Sequence, residues 1–133
     1  MTDNLRKIDF ELEKIVFLIN AKEGNSGIYE LTWELEMYKL EIENVYKITH
    51  EILKELLGED LITLDKYKDL TCENKIETVP FELTKKILNN PSNWYPCNEI
   101  YSITLTAKGN TFLDEKIPEF GAKLENRLFA NKK

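Results

Sequence analysis

Apolar residues recur at three- and four-residue steps near the start of the chain, with lysine and glutamate residues between them. From Leu5 to Ile19 this spacing places the apolar side chains on one face of a helix, and it predicts a helix over about residues 4–21. The six residues that follow, KEGNSG (22–27), contain two glycines, an asparagine and a serine. These residue types favour turns, so we expect the first helix to end in a tight connection.

The next thirty residues, 28–57, contain neither proline nor glycine. Their apolar positions form two stripes, and the phase of the pattern changes between Met37 and Glu41. This change predicts two helices, at about 28–38 and 41–57, rather than one long helix. Gly58 follows directly, at a position where helices often end with a residue in the left-handed conformation.

Three later segments have the composition of β-strands. LITLDKY (61–67) and NKIETVP (74–80) are rich in residues that favour strands. EIYSITLT (99–106) alternates its side chains between two faces, with Ile100 on one and Ile103 on the other. The sequence therefore predicts a small antiparallel sheet after the helices.

Two further helices are predicted in the second half of the chain. PFELTKKILNNP (80–91) begins and ends with proline and predicts a short helix, and NNPSNWYPCN (89–98) predicts a loop. The last stretch (117–133) carries Phe120, Leu124 and Leu128 at four-residue steps and has a basic end, formed by Lys123, Arg127, Lys132 and Lys133. The fold class is therefore mainly α with a small antiparallel β-sheet (α+β). A single domain, 1–133, would comprise a core over 5–115 and a C-terminal helical extension over 117–130.

The composition is that of a globular protein, with 42% hydrophobic and 32% charged residues. No apolar run reaches the roughly 18 residues of a membrane helix, and the N-terminus lacks the apolar block of a secretory signal. The sequence therefore predicts a cytoplasmic protein with no membrane contact. Cys72 and Cys97 are too few for a disulfide framework, so free thiols are expected.

The order of three helices, two wing strands and a C-terminal helix is similar to the winged-helix family. Residues 26–35 resemble the second helix of that family, and residues 45–64 resemble its third helix running into the first wing strand. LTAKG (105–109) matches the Leu-Thr-x-x-Gly step by which the last strand commonly closes into a helix. The resemblance covers about residues 5–115 and implies a winged-helix-like fold, with a wing expanded by an insertion long enough to hold a helix.

Charge is concentrated in the region that resembles the second and third helices. Residues 29–60 contain nine acidic and three basic side chains, a net charge of −6 that equals the charge of the whole chain. A helix that reads DNA must offer lysine and arginine to the phosphates, so no nucleic-acid partner is expected. Two interpretations stay open: a solvated helix face, or a surface that attracts a basic protein.

Residues that would support catalysis are scarce. The single histidine, His50, lies in the middle of a predicted helix, far in sequence from both cysteines. This arrangement suits neither a nucleophile–base pair nor a four-ligand zinc site, and the five glycines lack the spacing of a phosphate-binding loop. We therefore expect no enzymatic activity, no cofactor and no metal, and interpret His50 as an exposed helical residue.

A protein interface would combine the outward face of the third helix with two aromatic residues of the loop at 89–98. Trp94 and Tyr95 are either a lid over the core or anchors for a partner, since tryptophan and tyrosine are enriched at interface hot spots. The predicted partner-binding residues are Glu43, His50, Glu51, Lys54, Glu55, Trp94 and Tyr95.

Small size, acidity and the missing catalytic set resemble, in general terms, the immunity proteins of bacterial toxin systems, including contact-dependent growth inhibition. That resemblance implies a cognate toxin domain as the partner, expected to be a basic nuclease, whose phosphate-binding surface would be occupied by acidic side chains. The alternative is a winged-helix transcription regulator that dimerises through helices around Leu124 and Leu128, and a third possibility is a structural or adaptor subunit. A monomer or a weak homodimer is expected.

Overall fold

The computed structural model describes residues 8–23, 27–68, 74–95 and 99–132. In chain order the elements are α1 (Phe10–Glu23), α2 (Ile28–Leu31), a 3₁₀ helix (Thr32–Tyr38), α3 (Ile42–Gly58), β1 (Ile62–Tyr67), β2 (Lys75–Thr78), α4 (Phe81–Leu88), a second 3₁₀ helix (Pro91–Trp94), β3 (Ile100–Leu105) and α5 (Ala107–Lys132). A mainly helical fold with one small antiparallel sheet confirms the predicted α+β class. The first residues of the predicted first helix, part of the KEGNSG turn, and both cysteines lie outside the described residues.

Helix α1 is the central helix of the core. Asp9 caps its first turn, because the Asp9 carboxylate accepts a hydrogen bond from the backbone N–H of Leu12 at 3.1 Å. Every residue from Leu12 to Leu18 is buried, and the helix packs against α3, β3 and α5. The predicted apolar face is buried, and the rest of the middle of α1 is buried too, including the charged side chains of Glu13 and Lys14.

The predicted break between the second and third helices is confirmed. Lys39 has a left-handed backbone (φ 52°), and it separates the 3₁₀ helix from α3. At the other end of α3, the left-handed residue is Asp60 (φ 60°) rather than Gly58. Hydrogen bonds from the N–H of Asp60 to Leu57 O and from the N–H of Leu61 to Leu56 O close the helix there, the pattern of a Schellman motif.

The sheet has the strand order β2-β1-β3 and is antiparallel throughout. β1 and β3 pair over six positions, from Ile62 opposite Leu105 to Tyr67 opposite Ile100. All four residues of the edge strand β2 are exposed. On the far side of β3, Gly27 forms an isolated bridge to Ser102, so the residue that precedes α2 is held against the sheet.

The LTAKG step joins the end of α3 to the start of α5. The hydroxyl of Thr106 donates to Asp60 O at 2.6 Å and accepts from the N–H of Gly109 at 2.8 Å. A Cβ on Gly109 would lie 1.9 Å from Leu61 O, so only glycine allows this approach. The polypeptide therefore turns directly from β3 into α5 while fastening the end of α3.

Helix α5 is interrupted at Gly121, whose backbone (φ 42°, ψ −119°) is not helical. Beyond this kink Leu124 and Arg127 are buried, and α5 packs along α1. The predicted basic end therefore does not present Arg127 to solvent, and Lys123 is paired with Asp9. Leu124, which the regulator alternative placed at a dimer contact, is buried inside its own chain.

Candidate functional site

Three exposed glutamates surround one buried lysine at the junction of α1 and α3. The ammonium of Lys14 lies 3.0 Å from Glu55, 3.3 Å from Glu59 and 3.4 Å from Glu11. The Lys14 side chain is 5% exposed, whereas those of Glu11, Glu55 and Glu59 are 66%, 51% and 40% exposed. One ammonium against three carboxylates leaves this cluster with a net charge of −2 at the surface.

The carboxylates keep Lys14 charged despite its burial. Burial alone would lower the pKa of Lys14, but the Glu55 hydrogen bond and the charges of Glu11, Glu59 and Glu55 outweigh it and raise the pKa above its ordinary value. The pairing follows from the helix geometry, because Glu55 and Glu59 are four residues apart and share one side of α3. Lys14 therefore stays protonated in the neutral pH range.

Glu51 extends this cluster by one turn of α3. It precedes Glu55 by four residues, so the two side chains are neighbours on the helix surface, and it is exposed. We call Glu11, Glu51, Glu55 and Glu59 the carboxylate surface. This surface attracts cationic groups. It offers them carboxylate oxygens, and the spacing of Glu51, Glu55 and Glu59 is fixed by α3.

A groove separates α3 from α4 and the 3₁₀ helix that follows. The 3₁₀ helix closes the end of α4, since the Trp94 indole N–H donates to Leu88 O at 2.8 Å and Asn93 donates to Ile87 O at 2.9 Å. Trp94 is 5% exposed and meets Tyr46 edge-to-face with ring centroids 5.6 Å apart. Trp94 is therefore packed against the core, as the lid interpretation expects, whereas Tyr95, at 63% exposed, lies on the surface.

Two adjoining cavities make up this α3–α4 groove. The larger, of about 380 Å³, has apolar walls from Tyr46, Leu88, Pro91, Trp94 and Tyr95 and polar walls from Glu43, Lys47, His50 and Asn89. The smaller, of about 230 Å³, is lined by His50, Lys54, Leu57, Phe81, Glu82, Thr84, Lys85 and Leu88. His50 and Leu88 belong to both, so they mark the junction of the two cavities.

His50 is not the exposed residue that the sequence predicts. It is half-buried, and its Nε2 atom is fully buried without a hydrogen bond to any described residue. Burial lowers the pKa of His50 below 6.5, and the charges of Lys54 and Lys85 lower it further against an opposing effect of Glu51. The imidazole is therefore neutral at pH 7 and faces two cations.

The predicted partner-binding residues divide between these two places. Glu51 and Glu55 lie on the carboxylate surface, Glu43, His50, Trp94 and Tyr95 line the larger cavity, and Lys54 lines the smaller one. Glu55 is also paired with Lys14 rather than free. The sequence does not identify Lys14 or Lys85 as candidate site residues. Lys14 lies among apolar positions of α1 and Lys85 lies on the inserted helix α4, and the role of each depends on side chains that are distant in the sequence.

The described residues contain no group of three or more histidine, cysteine or carboxylate side chains placed to hold a metal ion. Of the helices in the described ranges, none combines the length and the apolar character that crossing a bilayer requires. No protein-family model matches the chain, and neither the curated proteins nor the solved structures contain a significant match.

Proposed function

We propose that the protein is a cytoplasmic immunity protein or inhibitor that binds a basic protein domain, such as a nuclease toxin, through the carboxylate surface. The observation that carries this proposal is the Lys14 cluster, in which three exposed carboxylates share a single buried ammonium. The whole chain adds to the local charge, with a net of −6. A basic partner would meet attraction both at a distance and at contact.

The mechanism would be electrostatic capture followed by occlusion. Complementary fields raise association rates by about ten- to a thousandfold at low salt, which suits an inhibitor that must bind its target quickly. Carboxylates spaced along one side of α3 would occupy the sites at which a nuclease binds the phosphates of its substrate. Lys14 would hold Glu55 and Glu59 in place, so that less side-chain freedom is lost on binding.

The scaffold that we propose is winged-helix-like. In support, β1 and β3 pair directly, as two wing strands would, and β2 with α4 stands between them as an insertion. The Thr106–Gly109 step into α5 agrees with the same family pattern.

This scaffold also supports the second candidate, a winged-helix DNA-binding regulator. In that case the chain would bind nonspecific duplex DNA with micromolar or tighter affinity at low salt, with a steep decrease as salt increases. Fluorescence anisotropy of a labelled duplex measures this directly. Absence of binding would exclude the regulator and leave the inhibitor proposal standing.

The inhibitor proposal predicts that a toxin is encoded in a reading frame next to the gene, and that toxin is the partner for the test. Its catalytic domain should lose activity when one equivalent of this chain is added, and the two should elute as one complex in gel filtration. Full catalytic activity in the presence of excess chain would refute the proposal.

A further inference from the structure

The α3–α4 groove differs in charge from the rest of the molecule. Its lining carries Lys47, Lys54 and Lys85 against Glu43 and Glu82, an excess of one positive charge in a chain whose net charge is −6. It is therefore unsuited to the basic partner proposed above. The groove and the carboxylate surface lie along different sides of α3, so they can be occupied independently.

The two ends of the groove offer different chemistry. The larger cavity is walled by Tyr46, Leu88, Pro91 and Trp94, which suits an apolar or planar group. At the junction with the smaller cavity, Nε2 of His50 is buried without a hydrogen bond to any part of the chain described, beside Lys54 and Lys85. His50 lines both cavities through the other atoms of its side chain, so a ligand carboxylate at this junction would lie beside the imidazole and the side chains of Lys54 and Lys85.

We propose that this groove binds a small organic monoacid, with its carboxylate at His50 between Lys54 and Lys85 and its apolar body in the larger cavity. The volume of about 380 Å³ lies near the lower end of the roughly 300–1,000 Å³ typical of small-molecule pockets. Cationic ligands would be repelled by the lysines, and polyanions by Glu43 in the larger cavity and Glu82 in the smaller one. A ligand with a single negative charge on an apolar body avoids both kinds of repulsion.

Binding of such an acid is coupled to the protonation of His50. A carboxylate beside the imidazole stabilises the imidazolium, against the lowering of its pKa by burial and by Lys54 and Lys85. The bound acid therefore raises the pKa of His50, and its affinity increases as the pH falls. The other charged groups around His50 are Glu51, the next residue on α3, and Glu43, Lys47 and Glu82 in the walls of the groove.

The experiment uses the imidazole as its own reporter. The chain contains one histidine, so a ¹H–¹³C correlation spectrum gives a single imidazole signal that needs no assignment. Indole-3-acetate and octanoate are the probes, and indole-3-acetamide is the neutral control. At least one of the acids should move the His50 signal saturably and raise its pKa, whereas the amide should leave that pKa unchanged.

Two lysine variants locate the carboxylate. Lys85→Met and Lys54→Met should each weaken binding of the acid by about two- to fivefold. Lys86→Met is the matched control, because Lys86 is the next residue on α4 and lines neither cavity of the groove. The proposal is overturned if neither acid moves the His50 signal, if acid and amide change the pKa alike, or if Lys86→Met weakens binding as much as Lys85→Met.

Discussion

Arg127 and Glu13 lie 114 positions apart in the chain and form a buried, two-point ion pair, with Nε 2.6 Å from Oε2 and Nη2 2.7 Å from Oε1 of the glutamate. The Tyr38 hydroxyl donates to the same carboxylate at 2.7 Å, and Arg127 also donates to Glu34 O. The pair thus joins α1, the first 3₁₀ helix and the end of α5. The ion pair thereby positions α1. The residue that follows Glu13 on this helix is Lys14, which holds the carboxylate surface together.

Breaking this pair should be costly. Arg127→Met leaves the Glu13 carboxylate buried without its cation, and loss of one partner of a buried pair typically costs about 3–5 kcal/mol. Lys22→Met is the control, because it removes a surface pair with Asp114 whose side chains are 52% and 58% exposed, typically worth less than about 1 kcal/mol. Urea denaturation measures both free energies of unfolding. Equal effects of the two variants would contradict the structural role of Arg127.

Replacing Gly109 or Gly58 by alanine should change the stability of the fold in opposite directions. At Gly109 an added Cβ would lie 1.9 Å from Leu61 O, so Gly109→Ala must displace backbone where α3, β3 and α5 meet and should destabilise by more than about 2 kcal/mol. At Gly58 nothing lies within 4 Å of the added Cβ. Gly58→Ala should therefore stabilise α3 by about 0.5–1 kcal/mol. Thermal melting of both variants tests the pair, and a harmless Gly109→Ala would be the contrary result.

The pH dependence of stability should contain a contribution from His50. Because burial and neighbouring lysines lower its folded-state pKa below 6.5, the unfolded chain takes up the proton first as the pH falls. The free energy of unfolding is therefore fully retained above 6.5 and decreases through the window between 6.5 and the folded-state pKa. His50→Gln should remove this decrease, as followed by urea midpoints in steps from about pH 7.5 to pH 5. Identical pH profiles for the two chains would show that His50 is not buried as described.

Local patterns were sufficient for much of the fold. The phase change after Met37 predicted the break that Lys39 makes, and the alternation at 99–106 predicted β3. The Thr106–Gly109 step was also readable, because a threonine cap and a glycine close to backbone are local requirements. The sequence pointed to Gly58 as the left-handed residue at the end of α3. Asp60 takes that position instead, because aspartate adopts the left-handed conformation more readily than most residues.

The candidate site was less predictable because it depends on contacts between distant segments. His50 looked exposed on its own helix, and it is covered only because α4, more than thirty residues later, packs beside α3. Glu55 looked free, and its partner Lys14 lies 41 positions earlier. Arg127 looked like part of a basic tail, yet it is buried with Glu13. Charge counts along the sequence cannot separate paired from unpaired side chains.

The most direct test of the central claim is the association rate of this chain with the catalytic domain of the toxin that the proposal expects beside its gene, followed by stopped-flow fluorescence at low and high salt. Glu51→Lys changes the carboxylate surface without touching the Lys14 contacts, and Glu125→Lys makes the same change of charge at an exposed position on α5. We predict that Glu51→Lys slows association by about three- to tenfold at low salt, that salt diminishes this difference, and that Glu125→Lys has little effect. Association that is equally fast for the wild-type chain and Glu51→Lys would contradict the claim that the carboxylate surface captures the partner.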